Sequence, residues 1–218
     1  MDVMKRNLVL FAILLLVASP ARGGQWRLGP QFGTSISSLS GDTPANISMG
    51  KSTGFAAGLI GEFRLAEDVW LSLQPMYFQR GASTKISVSG QAEPLEGPSL
   101  SLDYLVVPIL ARIMAGNERT YVVGGVNPGF LLDSTWHDGS TSEDLSSAFN
   151  SFDLAASIGF GMLVPVGQPT LSLEFRYEQS ILNLASSGRE EQDDGLPARF
   201  RSKGFQLMAG LLWPLGGM

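Results

Sequence analysis

Leu171-Ser172-Leu173-Glu174-Phe175-Arg176-Tyr177 decides the reading of this 218-residue chain. Apolar and polar residues alternate without a break, and Glu178 continues the rhythm. In a β-strand successive side chains point to opposite faces. Leu171, Leu173, Phe175 and Tyr177 therefore share one face, and Ser172, Glu174, Arg176 and Glu178 share the other. One face is too apolar for water and the other too charged for an ordinary core. A strand with lipid on one side and a wet or salt-bridged lumen on the other reconciles them.

Seven other segments follow the same period. They are Trp26 to Ser37, Gly54 to Leu65, Val69 to Arg80, Leu102 to Met114, Tyr121 to Leu132, Phe152 to Val164 and Gly204 to Trp213; the opening strand extends from Leu171 to Ile181. Each is about 10 to 13 residues, the length a tilted strand needs to cross a bilayer. Globular strands average about 5 or 6. A period of 2 rather than 3.6 argues against amphipathic helices.

The connections alternate. Ala66-Glu67-Asp68, Ala115-Gly116-Asn117-Glu118 and Pro165-Val166-Gly167-Gln168-Pro169 are short. Leu39 to Thr53, Gly81 to Ser101, Asp133 to Ser151 and Leu184 to Ser202 are long and polar. Short periplasmic turns and long outer loops are the rule for outer-membrane barrels. Trp26, Tyr121 and Trp213 fall at the periplasmic interface, where amphipathic rings are favoured. Trp70 lies at that level too, but its phase points inward.

The N-terminus reads as an export signal over residues 1–23. Lys5 and Arg6 precede the apolar run Leu8 to Val17, and Ala18-Ser19-Pro20-Ala21-Arg22-Gly23 offers cleavage after Ala21 or Gly23. The run is too short for a stable membrane span. Residues 24–218 form the barrel domain. With no cysteine, disulfides and thiolate metal sites are excluded. A pI near 4.9 and a net charge of -5 argue against nucleic-acid binding.

Four stretches carry a family resemblance: Gly54-Phe55-Ala56-Ala57-Gly58-Leu59, Leu71-Ser72-Leu73-Gln74-Pro75-Met76-Tyr77-Phe78-Gln79-Arg80-Gly81-Ala82, Leu102-Asp103-Tyr104-Leu105-Val106-Val107-Pro108-Ile109-Leu110 and Phe152-Asp153-Leu154-Ala155-Ala156-Ser157-Ile158-Gly159-Phe160-Gly161. The chain resembles the PorT-like outer-membrane β-barrel proteins, in the wider company of small eight-stranded barrels. The family commonly has Glu where Val106 stands. Its last strand usually ends on an aromatic, whereas Pro214-Leu215-Gly216-Gly217-Met218 follows Trp213 here. The resemblance implies an outer-membrane barrel, with some members linked to secretion or envelope assembly, and it carries no catalytic residues.

The fold expected is all-β: an eight-stranded antiparallel up-and-down transmembrane barrel in the bacterial outer membrane. Its phase turns Glu62, Arg64, Arg80, Arg112, Asp153, Glu174, Arg176 and Glu178 toward the lumen. Eight strands leave an interior just wide enough for side chains to fill. Buried charges must then pair, so these residues are expected to form a salt-bridged plug rather than an active site.

Two loop clusters carry residue types that could form a site. His137 lies beside Asp133, Ser134, Asp138 and Ser140, but a polar loop contains such residues by composition alone. The fourth loop carries Arg189, Glu190, Glu191, Asp193, Asp194, Arg199, Arg201 and Lys203; its acids lack EF-hand spacing, and its bases could meet lipid phosphates. The sequence thus indicates no enzyme, cofactor or metal. Expected partners are outer-membrane lipid and other envelope or secretion proteins. The rivals are a barrel enzyme acting on lipid or peptide, and a soluble lipocalin-like periplasmic carrier with the apolar face turned inward.

Overall fold

Alternating segments of this length can satisfy their backbone groups in hydrocarbon only by pairing all the way round. The computed structural model describes residues 25–41, 47–86, 95–116, 118–138, 141–144, 150–182 and 200–215. Residues 1–23, expected to be an export signal, and much of the fourth loop lie outside the described residues.

The strands are β1 (Trp26–Gly41), β2 (Ile47–Met49), β3 (Ser52–Arg64), β4 (Val69–Leu73), β5 (Met76–Ile86), β6 (Leu95–Val106), β7 (Ile109–Met114), β8 (Thr120–Asp138), β9 (Thr141–Asp144), β10 (Phe152–Pro165), β11 (Thr170–Ser180) and β12 (Phe200–Leu215). They make eight spans. β4 with β5 is the third, β6 with β7 the fourth, and β2 and β9 are short additions outside the wall. All pairings are antiparallel, and β12 returns to β1 from Trp26 opposite Leu215 to Gly41 opposite Phe200. The wall of eight spans is closed.

Two spans expected to be continuous are broken. Val69 to Arg80 is interrupted at Gln74-Pro75, and Leu102 to Met114 at Val107-Pro108. Proline has no N–H to give to a ladder. The proline carbonyls still serve: Leu59 N–H donates to Pro75 O at 3.0 Å and Gln74 N–H to Pro108 O at 3.1 Å. The outer connections also differ from plain loops. β5 runs on to Ile86, β6 starts at Leu95, and β8 continues to Asp138 with β9 beside it. Antiparallel pairing simply continues past the membrane on polar side chains.

Burial is inverted relative to a soluble protein. Ile158 and Phe160 are 68% and 61% exposed, while Glu62, Arg112 and Arg176 are at 0%. On β11, Leu173 and Phe175 look outward and Ser172, Glu174, Arg176 and Glu178 are buried. A lipocalin-like carrier needs the opposite orientation and is ruled out by this geometry. The outward band is lipid-facing. Phe175→Arg, mid-strand, should lower unfolding free energy by about 2–4 kcal/mol in vesicles, whereas Gln179→Arg near the interface should cost at most about 1 kcal/mol. Urea titration of both variants checks the contrast.

Candidate functional site

The lumen is layered. At its periplasmic end Ile60, Trp70, Leu110, Met114, Tyr121, Val123, Leu163 and Leu212 form a buried apolar cluster. Each sits within a few residues of a periplasmic turn or of the strand end beside it. Trp70, which the sequence left without a role, is a lid over this end. The Arg27 guanidinium lies 3.9 Å from its ring centroid, a favourable cation–π contact.

Above the apolar layer, Arg112 joins two acids from opposite walls. Its Nη1 meets Glu62 Oε1 and its Nη2 donates to Glu174 Oε2 at 2.8 Å. Arg27 approaches Glu62 at 3.8 Å, and Arg176 Nε lies 3.0 Å from Glu174 Oε1. The Tyr121 hydroxyl donates to Glu174 at 3.0 Å, and its ring lies 4.1 Å beneath the Arg112 guanidinium. Tyr121 is therefore a lumen residue, which corrects its expected place in the interfacial belt. Its phase on β8 is inward, and Gly161 across the ladder provides the space: a Cβ there would collide with the Tyr121 hydroxyl. Gly159 likewise leaves room for the stem of Arg176.

A second cluster fills the outer half. Arg80 donates to Asp153 at 2.6 Å and to Glu178 at 2.5 Å. Asn127 donates to Glu178, Ser157 to Asn127 at 3.3 Å, and Ser180 to Asp153 at 2.9 Å. Beside it, the space bounded by Ser35, Ser37, Arg80, Glu178, Ser202 and Gln206 amounts to about 10 Å³, room for one water.

Seven of the eight charged residues read from the sequence are buried in these two clusters. Arg64 is the correction. As the last residue of β3 it curls over the periplasmic turn, donating to the carbonyls of Ala66 and Glu67 and to Gln25 at the exposed rim. Arg27, Tyr121 and Asn127 were missed as network members, although their inward phase is readable in the sequence. In the third loop, Asp133 is exposed while its neighbour Ser134 is buried, so they face opposite sides of β8. The side chains of His137 and Asp138, and all of Ser140, lie outside the described residues. So do Arg189, Glu190, Glu191, Asp193, Asp194 and Arg199. Arg201 and Lys203 are exposed on β12.

Removing one member of a buried pair leaves the others uncompensated, at a cost of about 3–5 kcal/mol. Arg112→Met should destabilise the barrel by that amount. Adding Glu62→Gln and Glu174→Gln should restore much of it, because the stranded charges go with the arginine. Denaturant unfolding of the single and triple variants tests this; equal losses in both would mean that Arg112 contributes by packing alone.

A family model described as "Outer membrane protein beta-barrel domain" matches residues 17–186. Among curated proteins none matches the chain. Solved structures similar to it include Ail, the attachment invasion locus protein of Yersinia pestis, at 14% identity and TM-score 0.43, covering 87% of this chain and 99% of that one. The outer membrane protein OprG of Pseudomonas aeruginosa is 14% identical with TM-score 0.44, over 89% of this chain and 97% of the other. Neisserial surface protein A is 12% identical with TM-score 0.44, over 85% and 96%.

Proposed function

The chain belongs to the outer membrane protein beta-barrel domain family, and on that premise we propose that it is a sealed, non-enzymatic scaffold of the PorT-like kind. In this reading residues 1–23 are the export signal. The barrel anchors the protein in outer-membrane lipid, and the outer hairpins serve envelope assembly, secretion or surface binding by contact with other envelope proteins.

One observation carries the sealed reading: an apolar layer and two ion-pair clusters lie in series along the lumen. An ion crossing it would have to displace Arg112 from Glu62 and Glu174, then Arg80 from Asp153 and Glu178. Breaking either set costs several kcal/mol. That barrier opposes conduction in a way a water-filled porin does not. Within the lumen the space beside Arg80 holds a single water, and the larger pocket, about 650 Å³, lies toward the periplasmic end against the mostly apolar Ile113, Met114, Val122, Phe160, Met162 and Leu173. The part of the molecule left to meet partners is then the outer rim, where β5, β6 and β8 extend past the membrane.

The full chain reconstituted into planar bilayers should show no discrete conductance. Arg80→Ser combined with Asp153→Ser and Glu178→Ser empties the outer cluster without stranding a charge and should still be silent, because the inner cluster and apolar layer remain. Replacing both clusters by serine should produce small steps. Discrete conductance in the wild-type protein would overturn the sealed reading.

A further inference from the structure

On the outward face the apolar band does not stand at one height all round the barrel. One circuit of the ladder fixes the levels. From Phe205 the cross-strand partners run through Tyr177, Ile158, Gly124, Ala111, Leu71, Phe63 and Trp26 and return to β12 at Leu215. The return lies ten residues nearer the periplasm than the start, so each of the eight strand steps lowers the row by about 1.25 residues. On that scale Lys203 on β12 stands level with Phe130 on β8, three strand steps away. Thr53 on β3 stands level with a point between Leu154 and Phe152 on β10, half a circuit away. Lys203 and Thr53 are exposed and polar, whereas Phe130 and Phe152 are exposed and aromatic.

The displacement holds at both ends of the band. The outward row on β8 is apolar from Val122 to Leu132, and the outward row on β12 is apolar from Phe205 to Leu215. Each covers ten residues of strand, which is about 25 Å of membrane for a strand tilted by about 40°. Yet the β8 row stands about four residues, or about 10 Å, above the β12 row at its top and at its bottom alike. Between β10 and β3 the shift has the same sense, with Phe152 about three residues above Phe55. Hydrocarbon about 25 Å thick around an upright barrel could cover one row and leave about 10 Å of the other in water. Phe130 and Phe152 stand at the high end, their rings 5.4 Å apart. No polar residue interrupts the outward rows that climb to them from Val122 and from Val164.

We infer that the barrel leans in the outer membrane, on the order of 20° from upright, with the outer ends of β8 and β10 sunk into outer-leaflet hydrocarbon through Phe130, Leu132 and Phe152. The lean brings rows of equal length under one slab of hydrocarbon. Acyl chains are the occupant of the ridge because it is continuous with the lipid-facing band below it. A docking surface for a soluble partner has a polar rim around its apolar centre, and this ridge has none on its lower side. Exposed Asp133 follows Leu132 and closes the β8 row above. On the far side the outer ends of β12, β1 and β3 are lifted by the same motion, clear of the hydrocarbon. The lean is independent of whether the lumen conducts.

The chain has no cysteine, so a single introduced cysteine carries a spin label at one position only. The full chain, folded into phosphatidylcholine vesicles and checked by heat-dependent gel mobility, is labelled in two pairs: Phe130→Cys against Lys203→Cys, and Phe152→Cys against Thr53→Cys. Height on the barrel is closely matched within each pair, so an upright barrel holds both members at nearly the same depth. The labels at 130 and 152 should lie on the order of 5–10 Å deeper than those at 203 and 53. Oxygen dissolved in the lipid should broaden the first two and a water-soluble nickel complex the second two. Equal depth within either pair would overturn the lean. Shielding of 130 and 152 from oxygen as well as nickel would overturn the lipid assignment, since a protein surface, a second copy of this chain included, would then cover the ridge.

Discussion

The hydrogen bonds between β12 and β1 are the constraint on which everything else rests. In hydrocarbon, an unpaired backbone group costs several kcal/mol, so a sheet of eight spans must return to its first strand. Closure at eight spans fixes the diameter, and the diameter leaves an interior that side chains alone can fill. Everything inside is then packed at short range. Glycine is needed where a large inward side chain lies flat against the wall, as Gly161 is beneath Tyr121. Charges enter the lumen only in sets, because a lone ion there has neither water nor a partner.

The inner clusters show how such sets are built from distant sequence. Arg80 and Asp153 are 73 residues apart, and Arg112 and Glu174 are 62 apart. Arg80 and Arg112 each take two acids, and Glu174 is shared between Arg112, Arg176 and Tyr121. The bridges of Arg80 and Arg112 thus cross the lumen, while Arg176–Glu174 and Arg27–Glu62 run along its wall. A planar guanidinium suits this role, since its donors diverge toward two carboxylates at once.

The faces of the strands were legible from residue types alone, because the period of 2 assigns every side chain between Leu171 and Tyr177 to one side or the other. Eight spans and the alternation of short and long connections were legible for the same reason. Four things were not. Which charge meets which depends on register around the closed ladder, and a single sequence does not carry it. Strand ends defeat phase: Arg64 shares the inward phase of Glu62, yet at the end of β3 it is free to bend over the turn. Tyr121 was read by its height at the interface instead of by its phase, and phase is what placed its hydroxyl on Glu174. The breaks at Pro75 and Pro108 were visible as residues but were outweighed by the unbroken alternation around them.

The two ends of the lumen are closed by different physics, and that difference follows from where water can reach. Near the periplasmic turns the spans are tight hairpins, and Trp70, Met114 and Leu212 can meet in an apolar layer that excludes water outright. Toward the outside the strands extend beyond the membrane, so water has access from above and an apolar layer would gain less from burial there. Arg80, Asp153 and Glu178 are themselves buried there, and their mutual pairing fills the bore. An apolar layer below and buried ion pairs above are the two features on which the proposal of a sealed lumen rests, and on that proposal the rim and the lipid-facing wall are the surfaces left to meet partners.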